Sequence, residues 1–231
     1  MTSPHEPSAA PPAPVPPSTA PAKPPASART RLLDAAMQVI RSKGYAATTV
    51  EDVCAAAGVT KGSFFHHFKS KEEMALAAVA HWNAVTGALF EQAPYHRQAD
   101  PRERVLGYID FRRAIGQGAL PEITCLLGTL VQETFETWPA IRAACGDGIA
   151  AHADVVAQDM AAAKALYAPD ADWDPQVLAL FTQATLQGAF VLAKARGDDA
   201  IIGHCIDHLR QHVANLLGAG AAPAFHQETS P

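Results

Sequence analysis

From Arg29 to about Leu217, nonpolar residues return at intervals of three and four, the repeat of a helix with one buried stripe. Strand-type alternation is absent. In TRLLDAAMQVIRSKG, Leu32, Leu33, Ala36, Val39 and Ile40 fall on one side, and Gly44 follows Lys43 as a stop; this predicts a helix over about 30–43. Thr49 opens a second helix, with Asp52 spaced to answer the Thr49 amide as in a capping box. That helix ends near Ala57, and Gly58 can take the positive φ of a tight turn. Thr60 caps a third helix of about two turns, ending near Phe68. Ser70 caps a fourth, with Glu72 and Glu73 suited to its positive end. The spacing then predicts helices near 71–92, 101–116, 120–137, 139–166, 175–196 and 199–217. Pro101 and Pro121 fit first-turn positions, Asp174-Pro175 reads as a cap with proline at N1, and Gly197 separates the last two helices. The expected fold class is all-α.

Composition sets the limits of that folded part. Ten of the eighteen prolines lie in residues 1–27, so this segment cannot propagate a helix or bury a core and is expected to be a disordered Pro/Ala-rich tail. Residues 219–231 read as a flexible tail. The chain is 48% apolar over 231 residues, enough for a sizeable core. No apolar run approaches the length that crosses a bilayer, and the N-terminus has no apolar signal core. Cys54, Cys125, Cys145 and Cys205 are scattered and form no CxxC pair, which suggests free thiols in a reducing compartment. The expected setting is the cytoplasm, with no membrane partner.

Charge changes the picture further. Residues 28–75 carry seven Lys or Arg against five acids, a net of +2, whereas residues 76–231 carry ten against seventeen, a net of −7. A basic head on an acidic body suits a polyanion that meets the head alone.

Two helices joined by a tight turn, the second about eight residues long, have the geometry of a helix-turn-helix. The second could present Thr60, Lys61, Gly62 and Ser63 to base edges in a major groove. Lys61 suits guanine acceptors, Gly62 permits close approach, and Thr60 and Ser63 can donate to bases or phosphates. His67 and Lys71 are spaced to meet the backbone on the groove flanks, and Thr49 offers amides and a hydroxyl to a phosphate. Short helices around a glycine also occur without any DNA role. Phe64 and Phe68 read as core, and the histidines as surface groups rather than catalytic ones.

The segment TRLLDAAMQVIRSKGYAATTVEDVCAAAGVTKGSFFHHFKSKEEM resembles the N-terminal domain of TetR-family transcriptional regulators. The resemblance rests on the amphipathic first helix, Gly44-Tyr45, Thr48-Thr49, Ala57-Gly58-Val59, Lys61-Gly62, the aromatic run ending His67-Phe68, and Lys71. It implies DNA contacts at Thr48, Thr49, Thr60, Lys61, Gly62, Ser63, Phe65, His66, His67 and Lys71. Phe65 and His66 stand where such proteins commonly carry two tyrosines, so Phe65 lacks a phosphate-bonding hydroxyl while His66 can still donate. The resemblance also implies a three-helix DNA-binding domain, residues 28–73, and a larger ligand-binding and dimerisation domain, residues 74–218. The last two helices would pair with their copies in a homodimer on a palindromic double-stranded operator. A small-molecule effector would release it, with no cofactor.

For the effector, Trp82, Phe111, Cys125 and Phe181 are the wall candidates, because ligand cavities use apolar and aromatic walls. Each also reads as plain core. Tyr108 and Trp138 are further candidates of the same kind. Cys125, taken as lying inside the 120–137 helix beside Leu126 and Leu127, reads first as a small buried hydrophobe and second as a sensing thiol. His204, His208 and His212 form a stripe, but along the edge of the Ile202, Cys205, Ile206, Leu209, Val213 and Leu216 face. A seam border accounts for them better than a metal site, and no metal is expected. The chain has no HExxH, Glu-x-x-His pair or nucleophile elbow, so a helical metalloenzyme is a weak alternative. A constitutive DNA-binding regulator without effector is another.

Overall fold

The computed structural model describes residues 26–219. The tail expectations for residues 1–25 and 220–231 lie outside that range. The first helix, α1 (Ala28–Lys43), starts at Ser27, whose hydroxyl accepts from the Thr30 amide, and stops where Gly44 turns to φ +86°. α2 (Val50–Ala57) carries the reciprocal cap: Thr49 Oγ1 accepts from the Asp52 amide and the Asp52 carboxylate accepts from the Thr49 amide. Gly58 closes it in the left-handed region at φ +64°. α3 (Lys61–His67) is capped by Thr60, and α4 (Lys71–Glu91) by Ser70. All of these interactions span four residues or fewer, which is why the sequence alone could specify them.

After α4 comes a 3-10 turn at Pro94–Arg97, then α5 (Pro101–Ile115), α6 (Leu120–Ile123) and α7 (Leu126–Thr134). α8 (Pro139–Tyr167), α9 (Pro175–Arg196) and α10 (Ala200–Leu216) complete the described residues, which contain no strand. The single helix expected over 120–137 is therefore two, broken at Thr124-Cys125 where both residues are extended. No glycine or proline stands at the break. Its cause is distant: the Arg41 guanidinium, at the end of α1, donates to the Glu122 carbonyl at 2.7 Å and the Thr124 carbonyl at 3.4 Å. A continuous helix would occupy those carbonyls with its own amides.

Two apolar cores lie side by side. One joins α1, α2, α3 and α4 to α7 and the start of α8, through Leu32, Ile40, Phe64, Met74, Leu126 and Ile141. The other fills the space between α5, the later part of α8, α9 and α10. The first core crosses the chain boundary expected near residue 73, so the head rests on α7 and α8 as well as on its own three helices. Trp138 belongs there too, edge-on to Tyr45 at 5.1 Å. α9 is long and apolar enough to cross a membrane by length and composition, contrary to the expectation of no such run. Here one side of it is packed against α8 and α10, and the other carries an exposed apolar stripe.

Candidate functional site

The α2–turn–α3 unit has two opposite faces. Inward, Phe64 and Phe68 are buried, their rings 5.6 Å apart, and they tie α3 to α1 and α2. Outward, Thr60, Lys61, Gly62, Phe65 and His66 are exposed and Ser63 and His67 half-buried. Phe65, at 56% exposure, leaves an aromatic ring in solvent that no core requires. Lys61 pairs with Glu51 across the turn. Both side chains are more than half exposed, so the pair adds little stability and its lysine can be recruited by an anion. The hydrogen bond from Lys61 holds the Glu51 carboxyl below its usual range.

Three expected contacts are already engaged. The Thr48 hydroxyl is buried and donates to the Gly44 carbonyl at 2.6 Å, so it braces the turn and does not face solvent. Thr49 Oγ1 lies within the capping box, 2.6 Å from Asp52 Oδ2, while Lys43 Nζ reaches the same oxygen at 2.5 Å. Lys43 and Thr49 together hold the Asp52 carboxyl well below the usual carboxylate range. Lys71 Nζ sits 4.3 Å from the centre of the Tyr45 ring and donates to the Ala46 carbonyl, and burial lowers its pKa. Lys43, Lys61, Lys69, Lys71, His66 and His67 of the head are exposed or half-buried and offer N–H donors suited to phosphates.

Head and body are joined by ionic groups that the sequence did not single out. Glu133 of α7 accepts from the Tyr45 amide at 3.1 Å and the Ala46 amide at 2.8 Å, closing the turn after α1. A Cβ on Gly44 would collide with that carboxylate. Lys194 of α9 donates to the Arg41 carbonyl at 2.9 Å and to Thr129 Oγ1 at 3.2 Å. The Arg41 guanidinium, partly desolvated, also lies 5.0 Å from the Trp82 ring centre. Glu133→Gln is expected to keep one of the two amide bonds and lose about 1–2 kcal/mol, since bonds to a charged acceptor contribute about 1.5–3 kcal/mol each. Chemical denaturation of the variant would measure this; an unchanged midpoint would show that water replaces the carboxylate without loss.

Between α4, α5, the α6–α7 break, α8 and α9 lies a cavity of about 430 Å³. Trp82, Leu127, Ile149, Leu186 and Phe190 give it apolar walls, and Cys125 lines it from the break as the residue capping α7. Cys125 is thus not inside a helix. Phe111 stands outside the wall, edge-on to Phe90 at 5.5 Å, and Phe181 is on the outer side of α9, 46% exposed. Tyr108 is core, but its hydroxyl accepts from Gln183 Nε2 and bonds His152 Nε2, each at 3.0 Å, and both partners line the cavity. Burial, then the nearby Arg112 cation, pushes the His152 pKa down to about 4. This imidazole is neutral near pH 7, so one of its ring nitrogens donates and the other accepts. Arg112, Asn83, Gln187 and Glu122 are further polar wall groups. None of these four had a local signal, because four separate elements bring them together.

Cys145 is fully buried and its thiol is pushed up to about 12, by burial first and then by Cys125. That is an inert packing thiol. His204, His208 and His212 are exposed on α10, and His212 lies 5.5 Å from Phe181 across the α9–α10 seam. Among the described residues no three His, Cys, Asp or Glu side chains are grouped to hold a metal ion.

Residues 32–78 match the family described as "Bacterial regulatory proteins, tetR family", and residues 101–208 match "Transcriptional regulator LmrA/YxaF-like, C-terminal domain". The "Transcriptional regulator AcuR" of Cereibacter sphaeroides is 29% identical over 170 residues, 72% of this chain and 76% of that protein. The "HTH-type transcriptional repressor KstR2" of Mycolicibacterium smegmatis is 50% identical over 50 residues. That match spans only 24% of the KstR2 length and 22% of this chain. A crystal structure of a regulatory protein TetR from Rhodobacter sphaeroides superposes with a TM-score of 0.71 at 26% identity, covering 80% of this chain and 98% of that one.

Proposed function

The chain is a member of the TetR family of DNA-binding transcriptional regulators, and we propose that it is a cytoplasmic homodimeric repressor released from a palindromic operator by a small molecule. Residues 28–73 read DNA, and residues 74–218 hold the effector and the dimer contact. Lys61 and Gly62 enter the major groove with Thr60 and Ser63. Phe65, His66 and His67 meet the sugar-phosphate backbone, Thr49 and Lys71 join them by exchanging their internal partners for phosphate, and Thr48 acts by fixing the turn behind them. Two heads on adjacent major grooves require half-sites about one helical turn, roughly 34–36 Å, apart.

The observation that carries the release is the Arg41 anchor. One guanidinium binds carbonyls of the cavity wall, touches the cavity residue Trp82, and belongs to the helix on which α2 and α3 are built. An effector that binds better when the α6–α7 break moves would tilt α1, and with it the reading helix. Its power is bounded by its differential affinity for the two states. No step of this mechanism needs a cofactor or metal.

The test is binding to the DNA upstream of the protein's own gene, against scrambled DNA, across a salt series. Specific binding with a steep salt slope is expected. Lys61→Ala is expected to weaken it by about 1–3 kcal/mol per half-site and to flatten the slope by about one ion for each phosphate that Lys61 neutralises. If affinity and slope stay at wild-type values, Lys61 is not at the DNA. If no DNA recovered by selection from genomic fragments binds specifically, the repressor reading falls.

A further inference from the structure

The charge pairing of α5 singles out one of its four arginines. Arg104 pairs with Asp159 at 2.7 Å, Arg113 with Asp207 at 3.1 Å, and Arg102 approaches Glu103 at 3.8 Å. Arg112 has no carboxylate partner and no side-chain hydrogen bond among the described residues, and it lines the cavity. Its guanidinium lies 5.3 Å from the Phe90 ring centre, and Phe90 in turn lies 4.6 Å from the His152 ring. The one acid in the wall, Glu122, lies at the α6–α7 break, where the Arg41 guanidinium donates to its carbonyl, and it makes no ion pair with Arg112. His152 contributes no second cation, being neutral near pH 7.

We propose that the effector is a compact organic monocarboxylate with an apolar or aromatic body, its carboxylate held by Arg112. The proposal rests on the effector-release reading above and narrows it. A planar guanidinium fits a carboxylate with two parallel hydrogen bonds, which an alcohol or a neutral amide cannot match. One unpaired cation balances one negative charge; a dianionic phosphate would leave a charge unanswered in a largely apolar space. Leu127, Ile149, Leu186, Phe190 and Trp82 supply the walls for the body. The cavity volume, about 430 Å³, lies at the small end of the range for ligand sites and suits a compact body. The Thr124 hydroxyl, buried in the same wall without a hydrogen-bond partner, adds a place for a keto or hydroxy substituent.

The experiment is calorimetric titration of the full chain, without DNA, with octanoate and 4-phenylbutyrate and with the matched amides octanamide and 4-phenylbutyramide. At least one acid is expected to bind at least about tenfold more tightly than its amide, the fold-change of one charge-assisted pair. Arg112→Gln is expected to erase that preference, and Arg112→Lys to keep part of it; the thermal midpoint of each unliganded variant shows that it folds. Equal binding of acid and amide, an unchanged preference in Arg112→Gln, or no binding by either acid overturns the proposal. Carboxylate binding that leaves operator affinity unchanged would sustain the ligand class and overturn the release reading instead.

Discussion

Phe181→Asp is expected to turn a dimer into a monomer and to abolish operator binding at concentrations where the wild type saturates it. Val177, Leu180, Phe181, Val191 and Leu192 of α9 are each at least 43% exposed. At 100° per residue they fall within one stripe about a third of the helix wide, centred on Ala184 and Gly188. Ala184 and Gly188 along the middle, with Leu180, Phe181, Val191 and Leu192 at the edges, let a second α9 approach closely. In a two-fold dimer every substitution acts twice. Removing a large apolar side chain from the interface and burying an unpaired carboxylate costs on the order of 2 kcal/mol or more per protomer. The two copies give about 4 kcal/mol, roughly a thousandfold rise in the dissociation constant. Analytical ultracentrifugation at micromolar protein would read this directly. Phe181→Leu should remain dimeric, which separates charge from loss of the ring. A Phe181→Asp protein that sediments as a dimer would move the interface off this stripe.

The same stripe shows what the sequence could and could not convey. Helical phase alone groups residues 177, 180, 181, 191 and 192 on one face, yet Phe181 reads as a ligand-cavity residue because it is aromatic. Aromatic identity says that a side chain wants burial; it does not say whether the chain's own core or another copy supplies it. Phe111 has the same ambiguity, resolved by its neighbours Phe90 and Tyr95. By contrast the caps at Thr49, Thr60 and Ser70, the turn at Gly58 and the burial of Phe64 and Phe68 were legible, since each depends on residues within one turn or on the phase of one short helix. The α6–α7 break was not legible. It depends on Arg41, some eighty positions earlier, and nothing in TCLLGTL marks it. Glu133 and Lys194 are hidden for the same reason: a charged residue on a helix surface has no periodicity that distinguishes a bridge between head and body from a solvated face. Arg112 is hidden in another way, because it and Arg113 have the same single acid, Asp110, within four positions in the sequence, whereas their partners in space separate them at once.

Phe64→Ala is expected to be the most damaging single core substitution in the head. Phe64 is fully buried, the one buried residue of α3, and packs with Phe68 between α1 and α2. Removing a buried phenyl ring loses transfer energy and leaves a cavity, about 3–5 kcal/mol together. A single domain is stable by only about 5–15 kcal/mol, so a large share of the head's stability goes. α3 is seven residues long and cannot persist without its packing. The loss should be felt first in α2 and α3, whose apolar packing on the rest of the protein lies in this core, and least in α9 and α10, which belong to the other core. Amide hydrogen exchange should therefore accelerate in residues 50–68 by two to three orders of magnitude, as about 3–4 kcal/mol implies at about 1.4 kcal/mol per decade. Exchange in α9 and α10 should stay near wild type, and the protein should remain a dimer that no longer binds its operator. Uniform acceleration across both cores would instead mean that head and body unfold as one unit. In that case the first core, which runs from Phe64 through Leu126 to Ile141, would couple them thermodynamically as well as spatially, and strain at the cavity wall would reach the DNA-reading helix through apolar packing in addition to the Arg41 anchor.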